Sequence, residues 1–368
     1  MHTYWVEVNL QNIVGNLEQI RGFVGTSVKV MAVVKADAYG HGAVETSRAL
    51  SAAGVDYLAV TTLEEALELR NAGITTPTLV FSPLLPDQME SAIVADLDQT
   101  VCSSDALGAI SDAAGRVGKT ARIHVKVDTG MGRLGLTPSE CPDFISAVVS
   151  TSGIEIAGIY THFANAGARD LSSAREQNAR FARLLAHLNE IGLPTGLRHA
   201  ANSSSILNLP DAHYDMVRPG TILYGQFPTA HTARKIELAD TWRLKTRIVA
   251  LRSLPAGAKV GYGSEYTTPR AAKAAVIPVG YSDGFTIIPE SVAARASAPL
   301  RQLAMRLMRR SRNTQVTVRG RKAPVIGRVS MQMTTIDVTD IPEARVGDEV
   351  IVPARRATTS SRIPRVYL

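Results

Sequence analysis

Cysteine is almost missing from this chain: Cys102 and Cys141 are the two among 368 residues. That excludes a disulfide framework and a cysteine-ligated metal centre, and it points to a reducing compartment, the cytoplasm. No apolar run approaches the ~18 residues needed to span a bilayer. Residues 1–9 contain Glu7 and lack a basic stretch followed by an apolar core, so no signal peptide is expected. Internal repeats and low-complexity segments are absent. Acidic residues are missing from one stretch: between Ser291 and Ile336 there are ten basic residues and no acidic one. The formal net charge is +7, so the rest of the chain carries a slight negative excess and is not a basic nucleic-acid binder. Within that stretch, residues 301–312 read as an amphipathic helix, with Leu303, Leu307 and Met308 on one side and Arg306, Arg309 and Arg310 elsewhere. Aromatic residues do not interleave these arginines, and a solvated surface helix is the expectation. Neither nucleic acid nor membrane is an expected partner, and no metal is expected.

What is present describes a soluble globular enzyme, with 45% hydrophobic and 20% charged residues. Eight short β-rich runs, at residues 28–34, 57–60, 78–81, 99–102, 121–127, 154–161, 196–200 and 215–218, alternate with helical patterns such as 63–71 and 175–191. Eight such alternations predict an α/β fold, a (β/α)8 barrel of the TIM type over residues 1–230. After Gly225 the texture changes. Runs at 244–251, 274–279, 315–318, 325–327, 334–338 and 349–352, separated by Gly/Pro turns, predict a mostly antiparallel β domain over residues 237–368.

Active sites of such barrels lie at the C-terminal ends of the strands, with phosphate commonly bound after the seventh and eighth. Lys35 and Tyr39 follow the first run, in Val33-Val34-Lys35-Ala36-Asp37-Ala38-Tyr39-Gly40-His41-Gly42. A lysine at a strand end often snorkels to solvent, but small and glycine-rich neighbours here suit an amine that forms a Schiff base. Lys126, Asp128 and Arg133 follow the fifth run, His162 the sixth, His199, Asn202 and Ser203 the seventh, and Arg218, Gly220 and Thr221 the eighth. Ser203, the amides at Gly220-Thr221 and the Tyr39 hydroxyl make a candidate phosphate cradle. Taken singly, each histidine can be a hydrogen-bonded core residue, Arg218 can pair with a carboxylate, and Lys126-Val127-Asp128 can be a salt-bridged strand end.

Together with the lysine segment, further blocks carry a resemblance. They are Asp128-Thr129-Gly130-Met131-Gly132-Arg133, Tyr160-Thr161-His162-Phe163-Ala164, His199-Ala200-Ala201-Asn202-Ser203, Val217-Arg218-Pro219-Gly220 and Val260-Gly261-Tyr262-Gly263. Val279-Gly280-Tyr281-Ser282-Asp283-Gly284, Gly327-Arg328-Val329-Ser330-Met331 and Arg362-Ile363-Pro364-Arg365-Val366-Tyr367 follow in order. The chain resembles the alanine racemases, fold-type III pyridoxal-phosphate enzymes, over nearly its whole length. The resemblance implies that Lys35 carries pyridoxal 5'-phosphate and acts as one α-proton acid/base. Tyr262, from the partner subunit of a homodimer, is the other. Arg218 faces the pyridine nitrogen, supported by His162. Tyr39, Asn202, Ser203, Gly220, Thr221 and Ser361 fall at cofactor-binding positions. Arg133 reaches the substrate carboxylate, Met331 of the partner offers a backbone amide near it, and Tyr281 lies at the access passage. Lys126 is often carbamylated in the family. The implied reaction interconverts L- and D-alanine for peptidoglycan.

The chain departs from the family pattern at the access passage and elsewhere: Thr286-Ile287-Ile288 stands where an arginine is often found, and the basic stretch 291–312 is longer than the usual connection. Gln332 stands where Asp or Asn is usual, Ser361 falls where a phosphate-binding tyrosine is common, and the segment between Val352 and Arg365 is short. A racemase of broader, serine or lysine specificity, or a pyridoxal-phosphate-binding protein without catalysis, are the alternatives.

Overall fold

The computed structural model describes residues 2–286, 314–356 and 359–368. The helix expected at residues 301–312 lies outside them. The chain divides into two compact units, Leu10–Thr241 and a discontinuous one made of Met1–Asn9 with Trp242–Leu368.

The Leu10–Thr241 unit is the barrel. The first strand of the chain, β1 (Tyr4–Val8), belongs to the other unit, so the barrel strands are β2 (Lys29–Val33), β3 (Tyr57–Val60), β4 (Thr78–Val80) and β5 (Asp98–Val101). They continue as β6 (Ala121–Lys126), β7 (Ile154–Tyr160), β8 (Leu197–His199) and β9 (Met216–Val217). All eight expected runs are strands. They pair in parallel in the order β8-β7-β6-β5-β4-β3-β2-β9. The two edges are tied by Asp215 N–H donating to Arg198 O at 3.0 Å and Arg218 N–H to Ala201 O at 2.9 Å. An Arg198–Asp215 ion pair of 2.6 Å reinforces the seam. These strands form because both their faces are covered, so β-branched runs such as Val30–Val34 stay buried throughout.

Side chains fill the barrel in two halves. Met31, Val33, Tyr57, Ala59, Leu79 and Met216 form an apolar cluster. Asp98, Thr100, His124, Lys126, His199 and Arg218 are buried polar residues on strands β5, β6 and β8 and just beyond β9. Alternation along a strand puts residues two apart on one face, which places His124 with Lys126 and Asp98 with Thr100.

The helix Leu10–Val24 packs outside, burying Ile13, Leu17 and Ile20. Its buried Asn16 pins the return of the chain: Nδ2 donates to Leu223 O and Ala239 O, both at 3.0 Å, and Oδ1 accepts from Ala239 N–H at 2.8 Å.

The other unit contains β10 (Trp242–Arg247), β11 (Ala250–Leu254), β12 (Lys259–Val260), β13 (Tyr266–Thr267) and β14 (Ala272–Ile277). It continues with β15 (Gln315–Val318), β16 (Arg321–Pro324), β17 (Thr334–Asp337), β18 (Glu349–Val352) and β19 (Arg365–Tyr367). The sheets are β16-β15-β18-β10-β1-β19, β11-β14-β17 and β12-β13, and every pairing is antiparallel except β1 with β19.

Three expectations are corrected. Residues 1–9, assigned to the barrel, instead join the β unit because β1 pairs with β10, and the division falls at Thr241/Trp242. The run at 244–251 is two strands: Ile248 N–H bonds Asp348 O while Val249 N–H bonds Val276 O, so the chain changes sheets there. The strand expected at 325–327 is β16 at Arg321–Pro324, with Val325 making only an isolated bridge to Ile336.

Replacing Asn16 by Leu would leave two carbonyls and one amide without partners. We expect Asn16→Leu to lower the unfolding free energy by about 3 kcal/mol, at roughly 1 kcal/mol per lost bond, measured by urea titration.

Candidate active site

A cavity of about 520 Å³ opens at the C-terminal ends of the barrel strands, lined by residues between Val33 and Pro228. Ten expected site residues line it: Lys35, Tyr39, Lys126, Arg133, His162, Asn202, Ser203, Arg218, Gly220 and Thr221.

Lys35 is held there by an unusual backbone. Ala36, Asp37, Ala38 and Tyr39 all have φ between 49° and 55°, a left-handed turn built without glycine. Each such residue costs about 1–2 kcal/mol, so the turn stands only because its surroundings over-determine it. Glu65 accepts the Ala36 N–H at 2.6 Å and the Thr61 N–H at 2.7 Å, and Asp37 Oδ1 accepts the Ala43 N–H at 2.8 Å. Fully buried His41 bonds Ala38 O at 2.8 Å and Thr241 Oγ1 at 2.9 Å, and its ring stacks on Tyr224. The turn swings Tyr39 back over Gly220: a Cβ on Gly220 would lie 2.6 Å from the Tyr39 hydroxyl oxygen. Gly220 is required by this close approach. Its N–H donates to Ser203 Oγ at 2.9 Å, leaving the serine hydroxyl hydrogen available to an anion.

Tyr160, which the sequence reading quoted without a role, forms part of the floor. Lys126 Nζ stands 4.9 Å and the Arg218 guanidinium 5.3 Å from its ring centre. Arg218 is buried and donates to Thr161 O at 2.8 Å, Ala200 O at 3.0 Å and His199 Nδ1 at 2.8 Å, with His162 Nδ1 at 3.4 Å. Asn202 caps the following helix through Ser204 and Ser205 N–H, and its Nδ2 lies 3.5 Å from His162 Nε2. Asp128 does not pair with Lys126. Its carboxylate accepts the amides of Gly130, Met131 and Gly132 at 2.6–2.8 Å, which shapes the loop that carries Arg133.

Positive charge dominates this cavity. Burial and then Arg218 push Lys126 down to about 7, with Asp128 pulling weakly the other way. Burial, Arg218 and Lys126 push His162 down to about 3, so it is neutral. Burial lowers Arg218 to about 10, where it remains a cation at neutral pH. An anionic ligand suits such a site.

Tyr262, Tyr281, Met331 and Ser361 belong to the β unit, not to the barrel whose described residues line the cavity. Tyr262, Tyr281 and Met331 are 69%, 45% and 57% exposed. Tyr281 N–H donates to Ser330 O at 3.1 Å and Ser282 Oγ to Met331 O at 2.7 Å, so two of the motif segments meet. A third segment, the one bearing Tyr262, is joined to the Met331 segment by the Arg328–Glu265 ion pair. Ser361 is exposed, and its carbonyl accepts from Arg365 at 2.7 Å.

Comparison with known proteins agrees with this architecture. Family models described as alanine racemase N-terminal domain and C-terminal domain match residues 8–228 and 241–364. The chain belongs to the alanine racemase family. It is 40% identical to alanine racemase 2 of Caldanaerobacter subterraneus subsp. tengcongensis, over 99% of this chain and 94% of that protein. With alanine racemase of Methanococcus maripaludis it shares 37% identity, over 100% and 99%. The solved alanine racemase of Clostridium difficile 630 superposes with a TM-score of 0.90 at 31% identity, over 100% and 96%. Among the described residues of this racemase-family chain, no helix is long and apolar enough to cross a membrane.

The Lys126 shift has a consequence for stability. An unfolded lysine keeps its proton to about pH 10, whereas folded Lys126 loses it near 7. Between these values the unfolded chain binds the extra proton, so stability rises with pH, and below 7 the buried charge is destabilising. Relative to the parent, Lys126→Met is expected to be more stable at pH 6 than at pH 9, by on the order of 2–3 kcal/mol. Urea titrations of the ligand-free protein at both pH values check this; equal differences would remove the assignment.

Proposed function

We propose that the barrel cavity binds pyridoxal 5'-phosphate through Lys35 and that the protein racemises alanine by a two-base mechanism, supplying D-alanine for peptidoglycan. The observation that carries this reading is the convergence of Lys35, an anion cradle and a buried guanidinium in one cavity. The residues fit the cofactor. A volume of about 520 Å³ lies within the range usual for such ligands. A glycine kept bare beneath the Tyr39 hydroxyl, beside the Ser203 hydroxyl, suits a phosphate. Tyr39, Ser203, Gly220 and Thr221 would hold that phosphate, with Asn202 fixing the helix start beside them. Ser361 is a further phosphate donor in this reading.

When bound, the cofactor conjugates the substrate to an electron-withdrawing ring and so acidifies its α-C–H. Inverting a stereocentre needs a proton removed on one face and returned on the other. Lys35 Nζ does this on one face and the Tyr262 hydroxyl on the other. Among the described residues, the lining comes from residues 33–228, and Tyr262 and Met331 present exposed side chains on the β unit. A second copy of the chain supplies them, which makes the enzyme a homodimer with shared sites, and Tyr281 borders the access passage. Arg218 would hold the pyridine nitrogen as a donor that keeps its own proton, which would disfavour ring protonation and its side reactions. His162 steadies Arg218, and Arg133 receives the substrate carboxylate. Lys126, near pKa 7, is largely a free amine under mildly basic conditions. It is able to add carbon dioxide, forming an N–C bond and losing a proton, and the resulting carbamate anion orients Arg133.

Assays on a panel of amino acids test the substrate. Alanine is expected to turn over fastest, and a higher serine or lysine rate would overturn the assignment. Tyr262→Phe should lower kcat by about 10²–10⁴-fold while cofactor binding persists, and Lys35→Ala should abolish the cofactor's absorbance band. Gly220→Ala, with its Cβ against Tyr39, should weaken cofactor affinity about tenfold or more, since one lost charge-assisted bond is worth ~1.5–3 kcal/mol. Equilibrium dialysis measures it.

A further inference from the structure

A column of buried hydrogen bonds leaves the cavity floor and runs through the barrel interior. Arg218 Nη1 lies 2.8 Å from His199 Nδ1, His199 Nε2 lies 2.9 Å from His124 Nδ1, and His124 Nε2 lies 3.1 Å from Asp98 Oδ2. Asp98 Oδ1 accepts from Arg122 Nε at 3.0 Å. Arg218, His199, His124 and Asp98 are all buried, and the column ends at the partly exposed Arg122, which also binds Glu155 and the Tyr57 hydroxyl.

The direction of these bonds is set from both ends. A guanidinium only donates, so His199 Nδ1 must accept, and its proton therefore sits on Nε2. That Nε2–H donates to His124 Nδ1, which leaves the His124 proton on Nε2, directed at Asp98. A carboxylate only accepts, so the far end demands the same order. Both rings are thus neutral Nε2–H tautomers. The neighbouring groups agree: Tyr160 stacks on His199 at 4.8 Å and Tyr57 stands edge-on to His124 at 6.1 Å. Burial and the charge of Arg218 hold His199 well below its ordinary pKa. Burial pushes Asp98 up, but the His124 bond and the Arg122 charge outweigh it and keep the carboxyl below its usual range.

The backbone is shaped around this column. A Cβ on Gly158 would lie 2.5 Å from His124 Nδ1, so only glycine fits beneath that ring. The β6–β7 register shifts between Ile123 and His124, at the same level.

We infer that Asp98 and His124 are positioning residues for Arg218, acting through the tautomer of His199. They keep an acceptor facing Arg218 Nη1, so the guanidinium keeps its proton and its orientation toward the cavity. The catalytic part of this inference rests on the reading that Arg218 faces the cofactor. Asp98→Asn tests it sharply. Arg122 claims the amide oxygen, the amide nitrogen then donates to His124, and every bond in the column reverses. His199 would then present Nδ1–H to the guanidinium, donor against donor.

The first measurement is nitrogen-15 NMR of imidazole-labelled native protein at neutral pH. Two buried rings, each protonated on Nε2 alone, are expected; an Nδ1–H or doubly protonated His199 or His124 would overturn the inference whatever the variants do. Asp98→Asn should then show Nδ1–H character at His199 and a kcat lower by about tenfold or more, the direction set by a wrong tautomer. KM for alanine should stay within about threefold, and Glu155→Gln, which breaks only the exposed ion pair to Arg122, should keep native kcat. Native tautomers with native kcat in Asp98→Asn would sink the inference and leave the racemase reading standing. Native protein without racemase activity would sink that reading and the catalytic part, while the spectrum still decides the column.

Discussion

The left-handed turn at residues 36–39 is the constraint on which the site depends. Four residues at about 1–2 kcal/mol each amount to a large part of the ~5–15 kcal/mol by which a domain is usually stable. Glu65, Asp37 and His41 offset that strain with hydrogen bonds to the turn and its flanks. The turn does two things together. It sets Lys35 at the cavity wall, and it folds Tyr39 over Gly220 instead of sending it along a helix away from the barrel. A right-handed turn from the same strand end would separate the amine from the phosphate cradle.

The cavity's electrostatics follow from what surrounds that turn. Lys35, Lys126, Arg133 and Arg218 line it together, while the nearby Asp128 spends its carboxylate on backbone amides. The neutral His162 and the depressed Lys126 are responses to this crowding. Arg218 stays charged because backbone carbonyls and a histidine acceptor surround it. The same cationic field that makes two groups give up protons is what an anionic cofactor and a carboxylate substrate neutralise.

Much of this was legible in the sequence. Parallel strands buried on both faces read as β-branched runs, and all eight barrel strands lay where such runs occur. Ten cavity-lining residues followed from the rule that chemistry gathers at strand exits. Other features carry no such signature. Arg321–Pro324 lacks β-branched residues and contains a proline, which is tolerated there because β16 is an edge strand. Ala36, Asp37, Ala38 and Tyr39 give no hint of positive φ. His124 and Asp98 lie inside the barrel, away from the strand exits. The one clue was spacing, since His124 stands two residues before Lys126 on the same strand and so shares its face.

The pairing of β1 with β19 joins the first strand of the chain to its last, Val6 opposite Arg365. A ribosome makes β1 before the barrel segment and β19 after it, so their contact closes a long loop. The barrel segment, residues 10–241, is complete in sequence while β1 still waits, unpaired, for β10. The β1–β19 ladder therefore forms after β10 and β18 have been made, and until then that edge of β1 is open. Sequence separation thus makes the β1 edge the last part of that sheet to be covered, a slow, non-local closure.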